Sequence, residues 1–242
     1  MRLLIIRHGD PDYAIDSLTE KGRREAQFLA ERLQKEKIDA FYLSPLGRAQ
    51  ATAAYTLRAM GRRGKTLGWL REFHAPVRDE ATGKKCGTWD LLPSFYTKHE
   101  ALYDFHEWMT APRMRTGRTL PSEYRRVCKG LDKVLTSHGY RRSGNAYRAE
   151  SPNMDTLAFF CHFGVECVML SHLLHVSPVV LWQGFCAAPT SVTTLYTEER
   201  EKGVAVFRCS AFGDISNLYA NGEPPAFAAR FCEMYENENE RH

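Results

Sequence analysis

Short apolar runs alternate with amphipathic stretches in the first part of the chain, and each apolar run ends abruptly at polar residues. Leu3-Leu4-Ile5-Ile6 stops at Arg7-His8-Gly9-Asp10-Pro11, a segment that cannot continue a strand, so we expect a strand buried on both faces. Residues 17–33 place apolar side chains at helical spacing among charges, residues 40–43 predict a second strand, and residues 46–60 predict a second helix. The order β-α-β-α predicts an α/β domain with a mostly parallel sheet.

This alternation is interrupted once and then resumes. Residues 73–130 lose it and are interspersed with prolines, so they predict an inserted cap of short helices, called the cap segment below. At 242 residues the chain is long enough to bury one core, so we expect a single domain over residues 1–242 that carries the cap segment as an insertion. The later pattern predicts a helix at 121–137, a polar loop at 139–153, a strand at 156–161, a helix at 165–174, and strands at 192–196 and 204–209.

Charge and apolar patterning exclude several classes of protein. No stretch approaches the roughly 20 apolar residues of a membrane span, and the apolar run before Arg7 is too short for a secretory signal. With 33 Lys and Arg against 29 Asp and Glu, the net charge of +4 is too slight to indicate a nucleic-acid surface. Cys161, Cys167 and Cys209 lie among apolar residues, which predicts buried, reduced thiols. We therefore expect a cytoplasmic protein that binds neither membrane nor nucleic acid.

Polar side chains follow the ends of three predicted strands. Arg7 and His8 leave the first strand, Arg48 opens the helix after the second, and His162 follows the strand at 156–161. Because ligands of open α/β sheets collect beyond the carboxyl ends of the strands, we expect these four side chains to converge. Two guanidinium forks and a helix N-terminus suit an anion with several oxygens, such as a phosphate group.

Two histidines beside a phosphate site suggest phosphoryl transfer. One neutral imidazole can attack phosphorus and carry the phosphoryl group, while a second, protonated imidazole balances charge on the oxygens. The two arginines supply the positive charge that Mg²⁺ provides elsewhere. The chain has neither a Gly-x-x-x-x-Gly-Lys loop nor a His-Glu-x-x-His helix, and no two of its cysteines are separated by a two-residue spacer. We therefore expect no metal and no other cofactor.

These residues lie in three motifs that resemble the histidine phosphatase superfamily, also called the phosphoglycerate mutase-like family. The motifs are Arg7-His8-Gly9 after the first strand, Ser44-Pro45-Leu46-Gly47-Arg48 after the second, and Cys161-His162-Phe163-Gly164 after a later one. The segments Leu18-Thr19-Glu20-Lys21-Gly22 and Gly213-Asp214-Ile215-Ser216-Asn217-Leu218 are similar to the family as well, so the resemblance spans most of the chain. It implies a three-layer α/β/α sandwich and a phosphohistidine intermediate.

The resemblance also implies a role for each site residue. His8 matches the nucleophile that is transiently phosphorylated, and Arg7 and Arg48 match the arginines that hold the phosphate. His162 matches the second histidine, and the backbone at Phe163 is expected to face the same oxygens. The proton donor of the family is usually a carboxylate between the second and third motifs. Glu72 is similar to that position, and the alternatives that remain open are Asp79, Glu80 and Asp90.

Two departures from the family pattern bear on the reaction. Members often have two glycines after the second histidine, whereas this chain has Phe163 and then Gly164, which predicts a bulkier wall beside the phosphate. Asp10-Pro11-Asp12-Tyr13 replaces the Glu-x-x-x-Asn continuation common in the mutases. We therefore expect a phosphomonoester hydrolase that releases inorganic phosphate from a small organic phosphate. A phosphoglycerate mutase-type phosphotransferase and a non-catalytic phosphoester-binding module are the alternatives.

Aromatic residues are concentrated in the cap segment, where the substrate would be selected. They could line a pocket that admits a large or ring-bearing ester, or they could fill the small core beneath the insertion. The sequence leaves both roles open for Trp89, Phe95, Tyr96, Tyr103, Phe105 and Trp108.

Overall fold

The computed structural model describes residues 1–79, 82–228, 230, 233–237 and 239. Within these residues the strands are β1 (Arg2–Arg7), β2 (Pro11–Asp12), β3 (Ser17–Leu18), β4 (Ala40–Leu43), β5 (Lys65–Thr66), β6 (Val77–Arg78), β7 (Lys85–Cys86), β8 (Tyr140–Ser143), β9 (Ala146–Ala149), β10 (Thr156–Cys161), β11 (Val192–Glu201) and β12 (Val204–Asp214). The α-helices are α1 (Glu20–Leu33), α2 (Gly47–Ala59), α3 (Pro93–Tyr96), α4 (Pro112–Arg115), α5 (Leu120–Ser137), α6 (Phe163–Leu174), α7 (Pro178–Gly184) and α8 (Ser216–Tyr219). Single 3₁₀ turns occupy Gly68–Leu70, Glu100–Tyr103 and Trp108–Thr110.

One large sheet forms the centre of the molecule, with the strand order β5-β4-β10-β1-β11-β12-β9-β8. Strands β5, β4, β10 and β1 run parallel to one another. Beyond β1 the sheet continues antiparallel through β11, β12, β9 and β8. The carboxyl ends of β1, β4 and β10 therefore lie at the same edge, and the residues that follow them meet there. The predicted α/β fold class is confirmed.

The side chains of β1 show why helices cover both faces of the sheet. Leu3 and Ile5 point to one face and Leu4 and Ile6 to the other, since successive residues of a strand alternate. Leu4 and Ile6 pack with apolar residues of α1 and α2, namely Leu29, Leu33 and Ala53. Leu3 and Ile5 belong to the cluster that includes residues of α5, α6 and α7, namely Leu131, Val168 and Val179. The result is the three-layer α/β/α arrangement that the resemblance implied.

Helix α1 forms where the apolar spacing predicts it. Its N-cap is Thr19, whose hydroxyl oxygen accepts a hydrogen bond from the Gly22 amide at 3.0 Å. Such a cap contributes about 1 kcal/mol. Glu20 in the first turn and Arg32 in the last complement the helix dipole. The predicted apolar face is buried against the sheet and α2 at Ala26, Leu29, Ala30 and Leu33.

The described residues of the cap segment before α5 form short elements. They are the β6–β7 hairpin, two single-turn helices and two 3₁₀ turns, so a hairpin accompanies the expected short helices. The aromatic side chains of the cap segment differ in burial, and Tyr103 is exposed. Phe95 and Trp108 are buried in the same apolar cluster as α5 and α6, whereas Trp89 is only half-buried. The cap segment thus shares its core with the rest of the chain.

The prediction of a polar loop over residues 139–153 is wrong. This stretch forms the β8–β9 hairpin, which extends the sheet by pairing with β12. Two buried tyrosines, Tyr140 and Tyr147, anchor it, and the Tyr147 hydroxyl donates to Asp132 of α5 at 2.8 Å. Gly144 provides the left-handed backbone of the turn with φ +58°. Arg141 and Arg148 of the hairpin are exposed, whereas Arg142 is half-buried and donates to the Tyr147 hydroxyl at 3.1 Å.

Two of the three cysteines singled out in the sequence are buried free thiols. Cys161 and Cys167 lie in the core as predicted. The prediction for Cys209 is wrong, because its side chain is exposed on β12. A register shift between β11 and β12 falls at the Cys209–Leu195 pair and interrupts the alternation of inward and outward side chains there. None of the helices in the described residues is long and apolar enough to cross a membrane.

Candidate active site

The structure brings together the four side chains that follow the parallel strands. Arg7 ends β1 and His8 comes next, Arg48 lies in the first turn of α2, and His162 is the N-cap of α6. The imidazole centroids of His8 and His162 lie 5.0 Å apart. Arg48 Nε donates to His8 Nε2 at 3.3 Å. The predicted convergence of these groups at one sheet edge is thus present.

The hydrogen bonds of His8 fix which of its nitrogens carries the proton. Its Nδ1 lies 2.7 Å from the carbonyl oxygen of Gly9, which can only accept, so Nδ1 is the protonated nitrogen. Nε2 is then left with its lone pair and faces Arg48. Burial lowers the pKa of His8 to about 3, assisted by the charge of Arg7. At neutral pH the imidazole is therefore uncharged, as a nucleophile requires.

His162 is fully buried beside His8. Its Nε2 lies 2.7 Å from the Ser44 hydroxyl oxygen, which also accepts a hydrogen bond from the Leu46 amide. Its Nδ1 is buried with no hydrogen-bond partner among the described residues. Burial and the neighbouring His8 hold the pKa of His162 well below its usual range. The unliganded site therefore contains two neutral imidazoles, where the sequence analysis expected one protonated ring.

The two arginines are held by different partners. Arg7 is almost completely buried, and its Nη1 donates to the carbonyl oxygens of Ala187 and, at 3.1 Å, Ala228. Arg48 Nη1 donates to Asp16 Oδ1 at 2.6 Å, and Asp16 Oδ2 accepts from the Gly47 amide at 2.6 Å. Asp16 thus orients Arg48 and occupies the start of α2. The sequence analysis missed it, although Asp is among the few residues that tolerate its φ of +45°.

Glu72 is the carboxylate that reaches the site. Its Oε1 accepts hydrogen bonds from the Phe73 amide at 2.7 Å and from the Val165 amide in the first turn of α6 at 3.1 Å. Burial raises the pKa of Glu72, against the opposing effect of these hydrogen bonds and of the two arginines. A Cβ atom at Gly164 would lie 2.7 Å from Glu72 Oε1, so the carboxyl occupies space that only glycine leaves.

The two described alternatives for the proton donor, Asp79 and Asp90, do not line this site. Asp79 forms an ion pair with Arg113 in the cap segment, and Asp90 is exposed. Glu80 lies outside the described residues. Among the described candidates, Glu72 is therefore the carboxylate that meets the histidines and arginines.

A cavity of about 580 Å³ opens over these groups. Arg7, His8, Arg48, Glu72 and Phe163 line it, so the predicted bulky wall at Phe163 is present. Its other walls contain residues that the sequence analysis did not connect with the site, because they come from distant parts of the chain. These are Trp182, Gln183, Gly184, Phe185, Cys186 and Arg230. The walls also include residues that the sequence had already singled out, namely Tyr13, Gly164 of the third motif and Trp89 of the aromatic cluster in the cap segment.

A second buried carboxyl, Glu166, lies beneath the cavity in α6. It is fully buried, and burial raises its pKa to about 7. Arg7 stabilises its charged form, whereas Glu72 opposes it. The sequence analysis missed Glu166 because an acidic residue in a helix usually faces water. No three His, Cys, Asp or Glu side chains in the described part of the chain converge as a metal-binding group.

Proteins similar to this chain include several phosphatases. Phosphoserine phosphatase 1 of Hydrogenobacter thermophilus is 27% identical over 150 residues, which span 57% of this chain and 66% of that protein. A phosphoserine phosphatase variant from Entamoeba histolytica, solved in complex with phosphoserine, matches with a TM-score of 0.61 at 19% identity and covers 90% of this chain and 98% of its own. The mycobacterial glucosyl-3-phosphoglycerate phosphatase gives a TM-score of 0.60 at 19% identity, with coverages of 88% and 98%.

The two structures establish the shared fold, and a family comparison adds the sequence relationship. The matching family model is described as histidine phosphatase superfamily (branch 1), and it extends from residue 3 to residue 210. That range includes all three motifs on which the resemblance was based. The chain therefore belongs to the histidine phosphatase superfamily, branch 1, as the motifs predicted.

Proposed function

We propose that this chain is a phosphomonoester hydrolase that transfers the phosphoryl group of a small organic phosphate to His8 and then to water. One observation carries the proposal. The Nδ1 proton of His8 is bound by the Gly9 carbonyl, which leaves the lone pair of Nε2 beside Arg48 and 5.0 Å, between ring centroids, from the second imidazole. Membership of the family and its phosphatase relatives support the same reaction.

In this proposal Arg7, Arg48, His162 and the Phe163 backbone hold the phosphate. Hydrogen bonds between charged partners stabilise such a complex by about 1.5–3 kcal/mol each. The first turn of α6 begins at Phe163, where a helix leaves amides without intrahelical partners. A phosphate dianion beside His162 raises the pKa of that imidazole, so we expect its protonation to accompany substrate binding. The proton then balances charge on the phosphate oxygens.

The first chemical step forms a bond between His8 Nε2 and phosphorus while the bond from phosphorus to the ester oxygen breaks. Glu72 transfers its proton to the departing alcohol oxygen. The raised pKa of Glu72 favours the protonated acid that this step needs. General acid catalysis of this kind contributes about 10²–10⁴-fold to a rate.

The second step returns the site to its starting state. Water attacks phosphorus, the ionised Glu72 accepts a proton from that water, and the bond between phosphorus and His8 Nε2 breaks. Inorganic phosphate is released, and the lone pair of His8 is restored. Arg7 and Arg48 provide the positive charge near the phosphate throughout, so the mechanism needs no metal ion.

Two further parts of the proposal concern the surroundings of the site. The free thiols of Cys128, Cys161 and Cys167 support a cytoplasmic location. Trp89 lines the cavity, which supports the interpretation of residues 73–130 as an inserted cap that contributes to substrate selection. The complete set of two histidines, two arginines and Glu72 favours catalysis over a non-catalytic binding module.

Trapping the phosphoenzyme tests the proposal directly. Wild-type protein mixed with a phosphate ester and quenched in base should retain phosphate on His8, and His8→Ala should retain none and lose turnover by about 10³-fold or more. His106→Ala, which removes an exposed histidine of the cap segment, is the control and should behave like wild type. Undiminished turnover in His8→Ala would remove His8 from the role of nucleophile.

The mutase alternative is tested with 3-phosphoglycerate and its bisphosphate primer. A hydrolase releases inorganic phosphate from this mixture and produces little of the isomeric ester. Isomerisation that is faster than phosphate release would show that the phosphoryl group returns to the sugar acid and would reverse the assignment.

A further inference from the structure

We propose that the substrate of this site is a phosphate monoester whose alcohol carries a planar, mostly apolar ring system. The inference rests on the proposed function, because it concerns the part of the same cavity that receives the alcohol. Aromatic side chains line that cavity at Tyr13, Trp89, Phe163, Trp182 and Phe185. They stand beside the same His8, Arg7, Arg48 and Glu72 that surround the phosphate position. An aromatic ring on the alcohol part of the ester would therefore be surrounded by aromatic side chains.

The inner aromatic wall is rigid. Trp182 is buried, its Nε1–H donates to the Gly164 carbonyl oxygen at 3.1 Å, and its ring stacks on Phe73 at a centroid distance of 5.5 Å. Trp108 contacts Trp182 edge-on at 5.8 Å from the other side. Because its orientation is fixed from several directions, Trp182 presents a preformed apolar surface, and no ordering cost arises when a ligand binds there.

The outer walls are also held in place. Gln183 Nε2 donates to the Trp89 carbonyl oxygen at 2.6 Å, which ties the cap segment to α7 across the cavity. Phe185 makes an edge-on contact with Phe212 at 4.9 Å and keeps 44% of its surface exposed. Tyr13 lies under the Arg48 guanidinium at 5.5 Å. Exposed aromatic surface that is positioned in this way favours stacking partners.

The polar groups of these walls offer little to a small hydrophilic alcohol. The Trp182 N–H and a Gln183 amide N–H are used within the protein. Besides Arg7 and Arg48, the described residues that line the cavity include one more cationic side chain, Arg230. Arg230 pairs with Glu233 at 2.7 Å and lies over the Phe227 ring. A charged alcohol such as serine would lose water against the aromatic walls without equivalent hydrogen bonds, whereas a ring gains contacts.

The size of the cavity agrees with this substrate class. Its volume of about 580 Å³ far exceeds what a phosphate group needs and falls within the range typical of sites for compounds of several rings. The space beyond the phosphate is therefore large enough for a ring and its substituents.

A matched pair of esters tests the inference without differences in leaving-group reactivity. Ethyl phosphate and 2-phenylethyl phosphate both release a primary alkyl alcohol, so a difference in kcat/KM reports recognition of the ring. We expect 2-phenylethyl phosphate to be hydrolysed with a kcat/KM at least about tenfold higher than that of ethyl phosphate or phosphoserine. Equal values, or a preference for either of the small esters, would overturn the inference.

Wall variants then assign the preference to the aromatic cavity. Phe185→Ala and Trp89→Leu should each lower the ratio of the two kcat/KM values by about fivefold. Tyr196→Ala is the matched control, because Tyr196 is 43% exposed, lies on β11 and does not line the cavity. It should leave the ratio unchanged. A ratio unchanged in both wall variants would contradict the role of these rings, and Phe185, being partly exposed, can be removed without opening the core.

Binding to His8→Ala separates this inference from the proposed function. If the wild-type protein releases no phosphate from any ester, the proposed hydrolysis is wrong, but calorimetry on His8→Ala still measures recognition. The inference predicts that 2-phenylethyl phosphate binds at least about tenfold more tightly than ethyl phosphate. Equal affinities would overturn it whether or not the protein hydrolyses either ester.

Discussion

Gly164 gives the carboxyl group of Glu72 the space that it occupies at the start of α6. The carboxyl oxygen accepts from the Val165 amide, and a Cβ atom at position 164 would approach it to 2.7 Å. Position 164 therefore meets two requirements, since it lies in the first turn of α6 and the Glu72 carboxyl lies against it. Phe163, the preceding residue, has room for a large side chain because it faces the cavity.

We expect Gly164→Ala to reduce kcat by about 10²-fold, because the added methyl group displaces the proton donor. Alanine is a good helix former, so the free energy of unfolding should change little. Steady-state kinetics and chemical denaturation measure the two effects. Gly68→Ala is the control, because nothing lies within 4 Å of the Cβ atom that it adds. Wild-type kcat in Gly164→Ala would show that the position of the Glu72 carboxyl is unimportant.

Single residues of the site differ in how far the sequence reveals them. His8 and His162 follow strand ends directly, so recognising the strands was enough to find them. Glu72 was found through the resemblance to the family. Asp16 and Trp182 have no such marker, because an acidic residue in a loop and a tryptophan in an apolar helix have ordinary structural explanations. Their roles depend on which distant segments the fold places beside them.

At the scale of elements, helix α1 is attached to the end of the chain through charged groups. Glu223 forms ion pairs with Lys21 at 2.7 Å and with Arg24 at 3.2 Å. Beneath them Glu25 is fully buried, with Oε2 accepting from the Asp10 amide at 2.8 Å. Burial raises the pKa of Glu25 to about 7 from an ordinary value of 4.5. The helix therefore carries a carboxyl that prefers to be protonated in the folded protein.

This raised pKa predicts a pH-dependent stability that Glu25→Gln removes. The protonated carboxyl contributes its full stabilisation below pH 4.5, and that contribution is lost as the pH rises through 7. The difference in free energy of unfolding between Glu25→Gln and wild type should therefore shift in favour of the variant, by up to about 3 kcal/mol, when the pH is raised from 5 to 8. Chemical denaturation at the two pH values measures this difference. Glu20→Gln, on the exposed side of the same helix, should show no comparable change, and a parallel pH profile in Glu25→Gln would contradict the prediction.

Helices and strands were predictable where apolar residues follow a single regular spacing along the sequence. Helix α1 and the strands β1, β4 and β10 have uniform patterns, and the structure places them as the sequence predicts. The β8–β9 hairpin was missed because its arginines and glycines resemble a loop. Only the two buried tyrosines indicate strands, and their burial depends on the pairing of β9 with β12, which the local sequence does not reveal.

For the molecule as a whole, the parallel half of the sheet could be predicted and the antiparallel half could not. The alternation of strands and helices predicts that β1, β4 and β10 run parallel, which brings the residues at their carboxyl ends to one edge of the sheet. In the antiparallel half, the sequence predicted strands within β11 and β12 but missed β8 and β9, which precede β10 in the chain and join the sheet through the pairing of β9 with β12. The outer cavity walls come from segments outside the three motifs, such as α7, Phe185 and Trp89. The sequence therefore indicated the proposed phosphate site better than the surface that would select the alcohol.

The charge distribution of the site predicts that metal chelators do not change the enzymatic activity. In the proposed mechanism Arg7 and Arg48 surround the phosphate with positive charge, so a divalent cation has no charge to neutralise there. We expect dialysis against EDTA to leave kcat/KM unchanged to within about twofold, and added Mg²⁺ to have an equally small effect. A phosphatase that depends on a bound metal, treated in parallel, is the control for the dialysis. Loss of activity that Mg²⁺ restores would show that the two arginines are insufficient.

The hydrogen bond from Arg7 to the Ala228 carbonyl oxygen joins residues separated by 221 positions along the chain. A ribosome that has just translated Arg7 must therefore add 221 further residues before this contact can form. Nascent chains that already contain both histidines but end before Ala228 would lack this support for the Arg7 side chain. Fragments that stop short of residue 228 should therefore be inactive towards phosphate esters.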